Sequence, residues 1–574
     1  MRRFAPLALA LTACAATPPP VPEVPRLERV PSVAAERPAP EAPPERVVLS
    51  VVGINDVHGH LERLPHLAGA VANLRRRRAA DGGAVLVIDA GDMWQGTLAS
   101  NLDEGASMVR AYETLRVDAA ALGNHEFDYG PVGSAATPQG PDDDPRGALL
   151  ARIAEADFPI LGANFLDAES GEWVAWPGLE RAVLLERAGV KIGVIGVSTA
   201  ETLRTTIRAN VADLEMAPLA STIEVLAREL REDGAQVVVV AAHAGARCEA
   251  FDDPRDLSSC ELDEEIVHVA RALPEGLVDV IVAGHTHRAI AHFVGDVAVT
   301  ESWAYGRAFG RVDLVLEGGE VRRRIFPPHD LCTDRDADYL RCEAPAYAGA
   351  PVEAEPAMVR TIEPALEAAR AQREAPLGVT LEAPFARSRQ VESPLGNLLV
   401  DLLAELDPQA DVALLNGGGV RADLDAGPLT YGALYEAFPF DNRLARVTLT
   451  GAELRAIVAA NLGSESGTLI FAGVRVRARC EAGVLRVELR DRRGRPIRDR
   501  ARLELLTTDY LATTSLFTGV VSPDAVRVED GPPLREGLAE RLRARGGALR
   551  PTDFLDERAP RVDLPGRRPL RCAP

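Results

Sequence analysis

The sequence predicts an α/β protein of two domains. Between residues 47 and 330, short Val/Ile/Ala-rich runs alternate with amphipathic stretches, the order expected of strands and helices sharing one layered domain. Five of the apolar runs stop at clusters of Asp, Asn and His, the end of the strand where open α/β sheets carry their chemistry. A Pro-rich break over 327–351 precedes a second α/β pattern from about 376. At 574 residues the chain is also too long for a single core.

Residues 1–14 are set apart as a signal peptide. Arg2-Arg3 precede a short apolar run ending Leu11-Thr12-Ala13-Cys14, too short for a membrane span. A small residue before a Cys there resembles the lipobox of bacterial lipoproteins, which makes Cys14 the lipid-bearing residue. A plain secretory signal with an incidental Cys14 is the alternative. Residues 15–46, rich in Pro, Ala and Glu, read as an extended tether that reaches roughly 90 Å. These features predict an exported, monomeric protein of the periplasm or cell surface, attached to the membrane only through lipid.

In the first domain, 47–330, helices are predicted at Leu67–Arg78, Ser107–Leu115, Ala148–Ala156 and Ser221–Asp233 from their 3.6-residue spacing. Further strands are expected at Pro159–Ala163, Lys191–Val197, Val297–Thr300 and Val312–Leu316. Segment 331–375 is a linker whose Val352–Gln372 stretch forms a connecting helix. The second domain, 376–560, has helices at Leu395–Leu406 and Ala452–Asn461 and strands at Val412–Leu415 and Leu503–Thr507. Residues 561–574 are a Pro/Arg-rich tail.

Hydrophobic content of 47% is that of a globular protein, and a formal charge of −21 argues against nucleic acid as a partner. The Arg75–Arg78 run reads as a solvated helix face. Setting Cys14 aside leaves an even set of cysteines, which in an exported chain points to disulfides. Proximity favours Cys248–Cys260 and Cys332–Cys342, leaving Cys480–Cys572. None is arranged as CxxC, so structural zinc is disfavoured.

The five strand ends carry Asp56 and His58, Asp92, Asn124 and His125, His243, and His285 and His287. Carboxylate, imidazole and one amide oxygen form a mixed donor set suited to Zn, Mn or Fe. A carboxylate such as Asp92 is able to bridge two cations, a pairing suited to phosphoester hydrolysis.

In order, Asp-x-His, Gly-Asp, Gly-Asn-His-Glu, a lone strand-end His and Gly-His-x-His resemble the calcineurin-like metallophosphoesterases. The forms Asn55–His60 and Gly123–Asp128 are closer to the bacterial 5′-nucleotidases and UDP-sugar hydrolases. The resemblance implies a four-layer αββα sandwich followed by an α/β substrate domain of 5′-nucleotidase type. It also implies two divalent ions, one held by Asp56, His58, Asp92 and His287, the other by Asp92, Asn124, His243 and His285. His125 would assist the leaving group, with Asp128 orienting its ring, while a metal-activated water attacks in line. Glu126 orients the loop rather than binding metal. His60, His66, His268, His292 and His329 fit no motif and are expected at the surface.

In the second domain, the stretch Arg389–Asn397 and Asn416-Gly417-Gly418-Gly419-Val420-Arg421 also resemble that branch. They nominate Arg389, Asn416, Gly418 and Arg421 for an anion and Phe440 for one face of an aromatic clamp. The family's Gly-Gly-Asp-Gly is absent after Thr507–Ala512, and Phe517 aligns in a shifted register as the second face. The implied substrates are nucleoside 5′-monophosphates, with UDP-sugars, cyclic nucleotides and other phosphoesters as alternatives. Two rival readings are a sulfur-oxidation thiosulfohydrolase and a non-catalytic surface-binding lipoprotein.

Overall fold

The computed structural model describes residues 46–133, 136–138, 140–333, 342–440, 442–464, 466–529 and 531–572. The predicted signal peptide, Cys14 and all of the predicted tether but Arg46 lie outside them. Among the described residues no helix is long and apolar enough to cross a membrane.

The first domain is built on two sheets. A seven-stranded sheet runs Glu320–Asp330, Ala308–Glu317, Arg46–Ile54, Ala84–Asp89, Ala119–Ala121, Ile160–Leu161, Leu179–Glu180. A six-stranded sheet runs Ala289–Val294, Val297–Ser302, Val280–Ala283, Val237–His243, Val190–Ser198, Ala182–Arg187. Alternation along the strands separates the layers. Leu49, Val51, Val237 and Val239 share one core between the sheets. Val52, Val85 and Val87 face the helices of one side, and Val238 and Val240 those of the other. This is the four-layer αββα sandwich. Near-continuous Val/Ile runs follow, because both faces of each sheet are covered.

The predicted helices and strands form within a few residues of their expected limits, as at Leu64–Ala80, Ala106–Leu115, Gly147–Glu155 and Leu219–Glu232. The linker helix, Pro356–Glu374, is docked rather than free. Met358 and Ile362 join an apolar cluster that runs from Leu67 and Tyr112 in the first domain to Leu395 and Tyr431 in the second. Gly69 makes room for this docking, since a Cβ there would lie 2.0 Å from the Glu353 carbonyl oxygen. The Asn73 amide donates to the Pro351 carbonyl at 2.9 Å.

The second domain centres on a five-stranded sheet ordered Leu469–Ala472, Val412–Asn416, Arg502–Thr508, Leu444–Thr450, Val526–Val528. Residues of the Pro/Arg-rich tail pack against this domain. Val562–Asp563 pairs with the strand Val474–Glu481, the Arg561 guanidinium grips Asp401 at 2.6 and 2.8 Å, and Cys572 is bonded to Cys480. All three expected disulfides are present.

Two surface expectations hold only in part. His66 and His292 are buried, and His329 is half-buried against Phe309 and Tyr347. In the Arg75–Arg78 run, Arg78 is buried beside Asp81 at 3.3 Å and Arg75 caps the Leu115 and Arg116 carbonyls. Arg76 and Arg77 are exposed as expected, so only the two outer side chains of the run cover the domain's own backbone.

Candidate metal centre

The strands that end in polar residues are mutually parallel within each sheet, so their carboxyl ends open at one edge and five loops meet there. Asp56, His58, Asp92 and His287 place one donor atom each within 4.8 Å of one another. Beside them, Asn124 Oδ1 lies 2.9 Å from His243 Nε2 and 3.1 Å from His285 Nδ1, and those two nitrogens are 3.3 Å apart. Asp92 Oδ2 joins the groups, at 3.5 Å from His58 Nε2 and 3.3 Å from His243 Nε2.

The donor chemistry fits cations. His243 Nδ1 sits 2.9 Å from the Ala90 carbonyl and His58 Nδ1 2.8 Å from that of Gln95. A carbonyl only accepts, so both Nδ1 atoms carry protons and both Nε2 lone pairs point inward. His58 Nε2 then faces His287 Nε2 at 3.0 Å. Burial pushes His58 down to about 4 despite the nearby Asp92 carboxylate, so it stays neutral. Burial also opposes charge on His243, but Asp92, joined by Asp56 and Glu126, raises that ring to about 9.

The backbone is strained where the donors sit. Asp56, His58, Asp92, His285 and His287 have φ of 49°, 49°, 57°, 79° and 55°, the left-handed region that side chains other than glycine's avoid. Such residues persist only where their surroundings hold them. Glu126, fully buried, accepts from the backbone N–H groups of Asp92 at 2.9 Å, Met93 at 2.7 Å, Trp94 at 3.3 Å and Gly123 at 2.7 Å. It ties the Asp92 loop to the Asn124 loop, the orienting role expected of it. Burial, joined by Asp92, raises Glu126 to about 7. Asp56 is held likewise: His285 N donates to its carboxylate at 3.0 and 2.9 Å, and the Asn55 amide at 2.8 Å.

His125 and Asp128 meet on a short 3-10 turn beside this cluster. His125 Nδ1 lies 2.5 Å from Asp128 Oδ2, while Asp128 Oδ1 accepts from Thr206 Oγ1 at 2.7 Å and Ile207 N at 3.3 Å. His125 is not inserted among the clustered donors; its ring centroid is 5.1 Å from that of His58. Burial disfavours its charged form, yet Asp92 and Asp128 together raise it to about 10. The two carboxylates thus favour the protonated ring.

Residues 49–289 match the family model for calcineurin-like phosphoesterases, and residues 373–517 match the 5′-nucleotidase C-terminal domain. The chain is a calcineurin-like metallophosphoesterase of the 5′-nucleotidase type. It is a metal-dependent phosphoester hydrolase, and the family implies divalent metal ions. Protein UshA of Escherichia coli is 27% identical over 439 residues, covering 71% of this chain and 74% of UshA. A probable 5′-nucleotidase of Treponema pallidum is 27% identical over 550 residues, covering 81% and 86%. A putative 5′-nucleotidase from Staphylococcus aureus superposes with a TM-score of 0.60 at 17% identity, covering 90% of this chain and 100% of that one, which speaks for the fold.

The second domain of this metallophosphoesterase gathers most of the nominated substrate residues. Arg421 Nη1 donates to the Gly418 carbonyl at 3.3 Å, and its guanidinium lies 5.9 Å from the centroid of the half-exposed Phe440 ring. A Cβ on Gly467 would lie 3.0 Å from Gly418 N and 3.6 Å from Arg389 Cγ, so Arg389 borders the same glycine turn. Asn416 opens that turn, half-buried.

Phe517 does not join them. It is fully buried in the core with Leu505, Leu511 and Val521, where no base can stack on it. The exposed aromatic of this segment is Tyr510, 60% exposed. Tyr510 lines a cavity of about 820 Å³ between the domains, with Asn442, Arg443 and Asp509 on one side and Arg204, Thr206 and Arg208 on the other. Thr206 thus touches both this cavity and Asp128.

Tyr510 was legible as the aromatic of Thr507-Thr508-Asp509-Tyr510, just past the N-cap Thr508 of a short helix. Tyr305, whose ring lies 5.6 Å from His58 and 5.1 Å from His287, had no such signal. It arrives from a turn distant in sequence.

Proposed function

We propose that this metallophosphoesterase is an exported, lipid-anchored 5′-nucleotidase that removes phosphate from nucleoside 5′-monophosphates, with UDP-sugars as further substrates. The observation that carries the reading is the place of Asp92, whose Oδ2 lies within 3.5 Å of His58 and 3.3 Å of His243 and is the natural shared ligand of a two-ion site.

Asp56, His58, Asp92 and His287 would hold one divalent cation, and Asp92, Asn124, His243 and His285 the other. When bound, such ions supply charge neutralisation at phosphorus and acidify a water. The chain's own residues supply the rest. Asp128 fixes the ring of His125 through Nδ1, which leaves Nε2 as the atom that gives its proton to the departing 5′ oxygen. The Arg421 guanidinium, beside the Gly417–Gly419 turn, suits an anionic group. Phe440 and Tyr510 offer the half-exposed aromatic faces a nucleobase needs.

Phosphate release from AMP, UDP-glucose and bis(p-nitrophenyl) phosphate, with and without chelator, tests this. AMP should lead, and chelator should abolish turnover. His125→Ala should lower kcat by about 100- to 10,000-fold with metal content retained. Chelator-insensitive turnover, or loss of metal in His125→Ala, contradicts the reading.

A further inference from the structure

A second buried carboxylate, outside every motif, spans two of the donor loops. Glu301 is the penultimate residue of the strand Val297–Ser302 and is 1% exposed. One oxygen accepts from Ala246 N at 2.9 Å. The other accepts from Thr286 Oγ1 at 2.7 Å and Arg288 N at 3.3 Å. Ala246 lies three residues past His243, and Thr286 stands between His285 and His287. Glu301 therefore touches the chain on both sides of the second cluster without reaching a donor atom itself.

The site is shaped to admit it. A Cβ on Gly245 would lie 2.3 Å from Glu301 Oε2 and 2.3 Å from the Gly284 carbonyl oxygen. Only glycine lets the carboxylate enter between the two loops. The loop it grips is strained at two residues, since His285 and His287 both take left-handed backbone while Thr286 between them is bound to Glu301. A buried acceptor anchoring the middle residue fixes the path of its two neighbours.

We propose that Glu301 is a positioning residue of the metal centre, bracing the His243 and His285–His287 loops against each other so that their nitrogens converge before a cation arrives. This rests on the assignment of His243, His285 and His287 as ligands. The brace acts through Thr286 and Ala246, in the manner of groups outside a ligand set whose loss weakens metal affinity about 10- to 100-fold.

The test is Zn²⁺ and Co²⁺ binding to chelator-stripped protein, read by competition with a chromophoric chelator and by the visible spectrum of the Co²⁺ form. Variants are Glu301→Gln, Glu301→Ala, Thr286→Val and Thr286→Ser, each checked for folding by circular dichroism. Glu301→Ala should lose about 10- to 100-fold in affinity and show an altered Co²⁺ spectrum, with kcat recovering at saturating metal and KM unchanged. Glu301→Gln keeps the Thr286 bond but turns an amide N–H toward Ala246 N, so it should fall between Glu301→Ala and wild type. Thr286→Val should weaken binding and Thr286→Ser restore it, a rescue that decides the matter even if Glu301→Ala fails to fold. Wild-type affinity and spectrum in Glu301→Ala, or equal binding by the two Thr286 variants, overturns the proposal while leaving the metal reading intact. Failure of the wild type itself to bind metal would sink the metal reading instead.

Discussion

Replacing Phe517 and Tyr510 separately divides core packing from substrate contact, two roles the spacing of this segment confounds. Phe517 is 0% exposed and packed among Leu505, Leu511 and Val521. Truncation to Ala removes a whole ring from a closed core, a change that costs about 3–5 kcal/mol through lost transfer energy and the cavity left behind. Tyr510 is 60% exposed, so Tyr510→Ala should move stability by no more than ~0.5 kcal/mol. Its ring lines the interdomain cavity, and base–aromatic stacking contributes about 1–3 kcal/mol, which corresponds to a rise in KM for AMP of roughly 5- to 150-fold. Urea unfolding and steady-state kinetics on both variants give the comparison. A Phe517→Ala protein of normal stability and raised KM, or a Tyr510→Ala protein with wild-type KM, would refute the assignment.

Other expectations follow from single contacts. Glu126→Gln leaves one oxygen for four backbone donors, so two buried N–H groups lose their acceptor. The variant should lose about 2–6 kcal/mol in urea unfolding at pH 8, along with bound metal, and a loss below ~1 kcal/mol would deny Glu126 its bracing role. Gly123→Ala places a Cβ 2.2 Å from Asp92 Oδ1 and should reduce metal affinity by about 10- to 100-fold in the same chelator competition. The double variant Cys480→Ser/Cys572→Ser opens a closure of 92 residues and should cost about 2–4 kcal/mol without changing KM. His292 is buried and held below its ordinary value of 6.5 by desolvation, against the pull of Asp256, Asp253 and Asp252. The unfolded chain protonates first as pH falls, so its contribution is whole above 6.5 and declines below it. His292→Phe should flatten the acid limb of the stability–pH curve.

What was legible in the sequence was whatever local pattern determines. Strands buried on both faces announce themselves as Val237–Ala242 and Val278–Ala283, and the polar residues that end them announce the donor set. The motif resemblance then supplied the pairing of donors. Residues whose role depends on a distant partner were silent. Glu301 has no meaning until Thr286 and Ala246 are beside it, and His292, on an edge strand, reads as a surface residue until Phe251 is found packed against it. Phe517 failed for a related reason: an exposed stacking ring and a core ring have the same side chain, and only burial tells them apart. The tail after 560 looked uninformative because its pairing partner, the strand Val474–Glu481, lies far back in the chain. Its anchor was partly visible all the same. Glu392 of the Arg389–Asn397 stretch accepts from Arg561 N at 2.8 Å and Val562 N at 3.2 Å, so one residue of that motif serves the fold rather than the substrate.

The distribution of strain explains why the donor residues alone do not make the site. Left to itself, a loop with Asp92 or His287 in the left-handed region would relax, because that conformation costs roughly 1–3 kcal/mol per residue. Relaxation would swing the side chain away from the common point. Each strained loop is instead tied to a neighbour by a polar group that needs burial to be strong: Glu126 between the Asp92 and Asn124 loops, Asp56 through His285 N, and Asn55 to the Trp303 carbonyl at 2.6 Å and Ser302 N at 2.9 Å. The Asp56 and Asn55 ties run from the seven-stranded sheet to the six-stranded one, so the core between the sheets sets the distance between the donor clusters. A substitution that shifts one sheet on the other, far from any donor, should therefore weaken metal binding before it unfolds the domain.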